Sequence, residues 1–129
     1  MTDTQGFAGY LPSIKAIVLA FRGTEGETDV STDANYNKVS LADFPQCTKC
    51  KIHGGFDSAY RSVRPHILSV IQNLLNLHKG AKIYTTGHSL GGALAILAAI
   101  DLDQVGYDIG GVYTYGQPRV GNKQFVSFY

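Results

Sequence analysis

Ile83-Tyr84-Thr85-Thr86-Gly87-His88-Ser89-Leu90-Gly91-Gly92-Ala93 passes from a β-forming run, through a glycine-flanked serine, into a segment rich in Ala and Leu. Gly87-X-Ser89-X-Gly91 is the pattern of a nucleophile elbow, a very tight strand-to-helix turn with a serine at its tip. The backbone there is strained and the two arms nearly touch, so small neighbours are required. Gly87 and Gly91 carry no Cβ, and Gly92, Ala93 and Ala95 extend the small surface where a helix would cross a sheet. The helix also aims its first N–H groups at the reacting centre, which favours a developing negative charge. Five residues alone could be a glycine-rich turn with an incidental serine. Their setting decides for the elbow, because a strand is predicted to end at Thr86 and a helix to follow from Leu90.

Working upstream, Phe7 to Tyr10 and Lys15 to Phe21 read as two strands joined at Leu11-Pro12-Ser13. Ala16-Ile17-Val18-Leu19-Ala20-Phe21 is an unbroken apolar run, which suits a strand covered on both faces. Arg22-Gly23-Thr24 ends it. Glu25 to Gln46 is polar and irregular with five acidic residues, long for a structureless loop in a compact domain. Lys51-Ile52-His53 is a short strand. Asp57 to His78 is an amphipathic helix, with Tyr60, Val63, Ile67, Ile71, Leu74 and Leu75 on one stripe. Pro65 is expected to kink or restart it, and Lys79-Gly80 closes it. Downstream, Ala93 to Val105 is helical, Gly111 to Tyr115 is a strand, and a helix can start at Asn122. Strand and helix alternate, which argues a largely parallel α/β sheet.

The bulk numbers exclude several classes. At 129 residues the chain holds one domain at most. With 44 % hydrophobic and 16 % charged residues it is globular, not disordered. Eleven basic and ten acidic side chains give a net charge of +1 without a basic patch, so no nucleic-acid partner is expected. No apolar run is long enough to span a bilayer. Met1 to Gly9 lacks the basic start and apolar core of a signal peptide. Cys47-Thr48-Lys49-Cys50 leaves three readings open: a redox pair, two ligands of a zinc site with His53 as a third, or a structural disulfide or inert thiols.

Acyl transfer at Ser89 needs donors for the oxyanion. The backbone N–H of Leu90 and that of Thr24, at the end of the preceding apolar strand, are the candidates. Losing one such donor costs about 2.7–4 kcal/mol of transition-state stabilisation. Serine also needs a general base and an acid to orient it. All four histidines, His53, His66, His78 and His88, precede Ser89. His66 and His78 fall off the apolar stripe of their helix and are expected in solvent, and His88 should point away from its neighbour. Asp101 and Asp103 sit at the far end of the helix after the elbow and are expected to face solvent.

In combination, Phe21-Arg22-Gly23-Thr24, His53-Gly54-Gly55-Phe56, Gly87-His88-Ser89-Leu90-Gly91-Gly92 and Tyr115-Gly116-Gln117-Pro118-Arg119-Val120-Gly121 resemble the signature segments of the class 3, or fungal-type, lipases, in order. The resemblance implies a partial α/β-hydrolase fold, a mostly parallel sheet flanked by helices, over residues 1–129. It implies carboxylic ester hydrolysis through an acyl-enzyme, on lipid or small ester substrates and without cofactor or metal. It makes Ser89 the nucleophile, Thr24 and Leu90 the oxyanion hole, and Asp33 a support for the Thr24 hydroxyl. His53 is implied as a structural residue near the site.

The stretch Asp29 to Phe56 is most similar to the type A feruloyl esterases. That branch implies a Cys47–Cys50 disulfide and a Tyr36 that holds the substrate's phenolic part. Glu25 to Thr32, where lipases carry an apolar lid, has one apolar residue larger than alanine, Val30, so interfacial activation is not expected. The family pattern places the acid and base beyond Tyr129 and a helical segment before Met1. The domain is therefore expected to be incomplete, nearly inactive as it stands, and secreted in its longer form.

Overall fold

A computed structural model of the chain describes residues 4–23, 38–40, 47 and 49–128, with the backbone alone for 38–40. Two antiparallel strands, β1 (Gly6–Leu11) and β2 (Ala16–Phe21), form a hairpin whose turn puts Lys15 at φ 51°. After a small two-stranded sheet, β3 (Lys38–Ser40) with β4 (Lys51–His53), the chain enters α1 (Gly54–Leu77). It continues as β5 (Lys82–His88), α2 (Leu90–Val105), β6 (Ile109–Tyr115) and α3 (Lys123–Phe128). The main sheet has the order β1-β2-β5-β6, with β2, β5 and β6 parallel and β1 an antiparallel edge. The α/β architecture read from the sequence is the one observed. β3 falls inside the stretch read as irregular.

Burial in β2 and β5 has period two. Ile17, Leu19, Phe21, Ile83 and Thr85 are buried with Ile67 and Ile71 of α1 and Leu94, Leu97 and Ala98 of α2. The alternating residues Val18, Ala20, Tyr84 and Thr86 are half-buried. On that second face Phe7 is 70 % and Tyr113 57 % exposed. The expectation that β2 is covered on both faces is therefore corrected: among the described residues, helices cover one.

Helix α1 starts three residues before the predicted boundary because His53 caps it. The His53 Nδ1 accepts the Gly55 N–H at 3.0 Å, and its ring stacks on Phe56. Pro65 does not restart the helix, which is assigned without a break through it. Its ring is exposed, so the bond lost at the Arg61 carbonyl is lost at the surface. The far end closes at His78, which stacks on Tyr10 at 3.6 Å and is half-buried rather than solvated, and at Gly80 with φ 79°. Asn122 opens α3: its Oδ1 accepts the N–H groups of Phe125 and Lys51, and its Nδ2 donates to the Lys49 carbonyl. Cys47 and Cys50 are joined as a disulfide, so their sulfurs hold no zinc.

Candidate active site

β5 ends and α2 begins around one residue. Ser89 has φ 54° and ψ −124°, one of three non-glycine residues with positive φ among those described. Such a conformation costs about 1–3 kcal/mol and persists only where its surroundings impose it. The imposing contacts are backbone on backbone. A Cβ on Gly87 would run into the Gly91 carbonyl, and one on Gly91 would run into the Phe21 carbonyl. A Cβ on Gly92 would sit 3.0 Å from Gln117 Cβ. Three missing side chains thus let β2, β5 and α2 converge beneath the serine. The Ser89 N–H donates to the Tyr115 carbonyl at 2.9 Å, tying the turn to β6. The Ser89 carbonyl accepts the Gly92 N–H at 2.9 Å and the Ala93 N–H at 3.4 Å, which starts the helix.

Serine in front of a helix ordinarily spends its hydroxyl on capping the first turn. Ser89 makes no such bond. The residue is half-buried. Leu90 is the first residue of α2, so its N–H has no partner one turn earlier in the helix. The first turn of α2 carries no acidic side chain, so no residue of that turn offsets the positive end of the helix dipole. A hydroxyl left unspent and an unpaired amide in adjacent residues are the parts that acyl transfer needs.

Gly23 abuts this turn. A Cβ there would lie 2.9 Å from the His88 carbonyl oxygen and 3.5 Å from Ser89 Cβ. The end of β2 and the elbow are thus neighbours, as the sequence argument for an oxyanion donor after Gly23 requires. Thr24 itself, like Asp33 and Tyr36, lies outside the described residues, as does the segment Glu25 to Thr32.

No histidine among the described residues is hydrogen-bonded to Ser89. His53 uses Nδ1 to cap α1. His66 is exposed on α1, and His78 packs on Tyr10 at the other end of β1. His88 is exposed and packs beside Gly116. Asp103 is exposed as expected, but Asp101 is not. It is 6 % exposed and accepts the Tyr60 hydroxyl at 2.6 Å and the Arg64 Nε at 2.7 Å. The expectation that Asp101 faces solvent fails because α1 lays a tyrosine and an arginine across that part of α2. Burial first, then the bond to Asp101 and its charge, push the Tyr60 phenol well above its usual pKa. Sequence reasoning also passed over Thr85, whose hydroxyl donates to the Ala95 carbonyl at 2.8 Å in the core.

Residues 18–129 match the family described as lipase (class 3). The chain is 36 % identical over 132 residues to a lipase of Rhizopus niveus, covering 99 % of this chain and 33 % of that protein. It is 33 % identical over 128 residues to the secreted mono- and diacylglycerol lipase A of Penicillium cyclopium, covering 99 % and 41 %. Among solved structures, the lipase of Rhizopus microsporus var. chinensis superposes with a TM-score of 0.87 at 36 % identity, over 98 % of this chain and 45 % of the other. The mono- and diacylglycerol lipase of Aspergillus oryzae gives 0.86 at 40 %, over 99 % and 46 %. The chain thus spans roughly a third to two fifths of the length of these curated relatives.

Proposed function

The chain belongs to the class 3 lipase family, and on that premise we propose that it carries the nucleophile and oxyanion cradle of a carboxylic ester hydrolase acting on acylglycerol-type lipid esters. What supports the reading above all is the backbone of Ser89, held at φ 54° and ψ −124° between a strand and a helix with its hydroxyl unspent on capping. In the proposed reaction Ser89 Oγ attacks the ester carbonyl carbon and gives its proton to a base. The carbonyl oxygen becomes an oxyanion and takes the N–H of Leu90 and that of Thr24. Collapse of the tetrahedral species breaks the bond to the alcohol oxygen, which leaves with the proton. Water then attacks the acyl-Ser89 ester and frees the acid. The same reading gives Asp33 the support of the Thr24 hydroxyl, and it keeps a role for Tyr36, holding a phenolic group, only for an aryl ester substrate.

No described histidine is hydrogen-bonded to Ser89, and in this reading a histidine and an acid outside these 129 residues complete the triad. The similarity to a secreted relative and the Cys47–Cys50 disulfide both favour an oxidising, extracellular setting. No helix among the described residues is long and apolar enough to cross a membrane.

The test is covalent labelling of the full-length protein by a fluorophosphonate, with mass mapping of the adduct. Wild type should be labelled at Ser89, and Ser89→Ala should not react. Removing a triad serine lowers turnover by about 10⁶. A folded full-length protein that stays unlabelled would overturn the reading. Hydrolysis of a short acyl ester, an acylglycerol emulsion and methyl ferulate compares substrate classes. The acylglycerol is expected to lead, and preference for the ferulate would transfer the assignment to aryl esters.

A further inference from the structure

Thr85 occupies a core position where the neighbouring inward residues of β5 and α2 are Ile83, Leu94, Ala95 and Leu97. It is wholly buried, and a side chain with no hydroxyl would need no partner there. The partner it has is the carbonyl of Ala95, inside α2. In a regular helix that carbonyl already receives an N–H from the next turn. The Thr85 bond is therefore additional to the helix ladder. It joins the residue four places before Ser89 to the residue six places after it. Strand, elbow and the first turn and a half of the helix become a closed ring.

The contacts within that ring differ in kind. Gly87 against Gly91, and Gly91 against Phe21, are steric. They limit how closely β5, α2 and β2 can approach, and they offer little resistance to separation. Ser89 sits in a costly backbone conformation. The motion that would relieve it is α2 swinging away from β5, and the Thr85–Ala95 bond opposes that motion directly. Thr86, the next residue, sends its hydroxyl to the Tyr113 carbonyl at 2.7 Å in β6 and does not hold α2. Successive residues of a strand face opposite sides of the sheet, so the two hydroxyls do separate jobs.

We propose that Thr85 is a positioning residue for the Ser89 nucleophile, its hydroxyl holding α2 to β5 so that the serine Oγ and the Leu90 N–H keep a fixed relation. The proposal rests on the hydrolase reading of Ser89. Leu90 is the first residue of the helix that Thr85 holds, and Ser89 is the residue before it. A helix free to tilt would carry the amide away from the oxyanion and let the serine relax. Such loss acts on the reacting geometry and not on substrate contacts, because Thr85 is buried beneath the site.

The experiment compares full-length wild type with Thr85→Val, Thr85→Ser and Thr86→Val. It measures the limiting rate of fluorophosphonate labelling, the concentration giving half that rate, and the melting temperature. Thr85→Val should lower the limiting rate about tenfold or more, since small misplacements of reacting groups are that costly. Its half-saturating concentration should stay unchanged. Thr85→Ser keeps the hydroxyl and should restore the rate to within about twofold, and Thr86→Val should do the same. A purely structural role would lower the melting temperature of Thr85→Val and leave the limiting rate of the folded protein unchanged. That result, or a Thr85→Ser as slow as Thr85→Val, overturns the proposal. If Thr85→Val does not fold, Thr85→Cys replaces it, because a thiol is a weak donor. Absence of labelling in wild type removes the Ser89 reading and this inference together, whereas labelled wild type with equal variant rates removes this inference alone.

Discussion

The two ends of α2 are immobilised by opposite means. At its start, Gly91 meets Gly87 and Phe21 backbone against backbone, and it fits only because nothing projects toward Phe21. Eleven residues on, Asp101 is held by what projects toward it: the Tyr60 hydroxyl at 2.6 Å and a two-point contact with Arg64 at 2.7 and 3.1 Å. One end is fixed by the absence of side chains and the other by a surplus of polar partners. The absence leaves the Ser89 hydroxyl and the Leu90 N–H unencumbered. The surplus satisfies a carboxylate that could not otherwise be buried. The glycine end should fail when atoms are added, and the acid end when they are removed.

The largest effect expected is at the glycine end. Gly91→Ala puts a methyl group against the Phe21 carbonyl and the Arg22 backbone. Overpacking against side chains costs about 1–3 kcal/mol, and backbone has no rotamer with which to yield. A loss of about 3 kcal/mol or more is expected in urea unfolding, together with slower labelling of Ser89. A variant within about 1 kcal/mol of wild type would show that the elbow is looser than its geometry implies.

Next in size is Asp101→Ala. It leaves the Tyr60 hydroxyl without an acceptor in the core and the Arg64 guanidinium without its carboxylate. Breaking a fully buried pair costs about 3–5 kcal/mol. The Arg64 side chain is 40 % exposed, so water takes over part of its role, and about 2–3 kcal/mol is the expected loss. Tyr60→Phe in the same protein should recover part of it, since the orphaned hydroxyl is then gone. Additive losses in that double-mutant cycle would mean that the two side chains are not coupled.

The same contrast explains what could be read from the sequence. The elbow was legible because every residue that builds it lies between Ile83 and Ala95, and glycine spacing is a one-dimensional signal. The core stripe of α1, the antiparallel hairpin and the start of α3 at Asn122 were legible for the same reason. Asp101 was misread because its partners lie 37 and 41 positions earlier, on another helix, and nothing beside it in the chain announces them. β3 is three residues long and exists by pairing with β4, so the polar stretch around it gave no periodicity to detect. The apolar run of β2 was read as covered on both faces, because alanine and valine look alike to a pattern search whether they meet a helix or not. Thr85 escaped notice because threonine in a strand needs no explanation until its burial and its acceptor are known.

The smallest effect concerns Tyr60 alone, and it separates burial from charge pairing at the acid end. Burial is the main cause of its raised pKa, with the bond to Asp101 and the Asp101 charge adding to it, and the charge of Arg64 opposing. At neutral pH Tyr60→Phe removes one hydrogen bond and leaves Asp101 paired with Arg64, so about 1 kcal/mol is the expected loss. The sign of the pH dependence follows from proton linkage. Above its ordinary pKa of about 10 the unfolded chain releases the phenol proton while the folded protein retains it, so the unfolded state binds fewer protons. The contribution of Tyr60 is therefore complete below about pH 10 and falls as pH rises beyond it, by up to about 1.4 kcal/mol per pH unit. Chemical denaturation at pH 8, 9, 10 and 11 should show wild type losing stability faster than Tyr60→Phe above pH 10, so that the two curves converge. Parallel alkaline limbs would mean that the phenol is not held in the core as its contacts imply. Asp101 would then be fixed by Arg64 alone, and the acid end of α2 would rest on one partner instead of two.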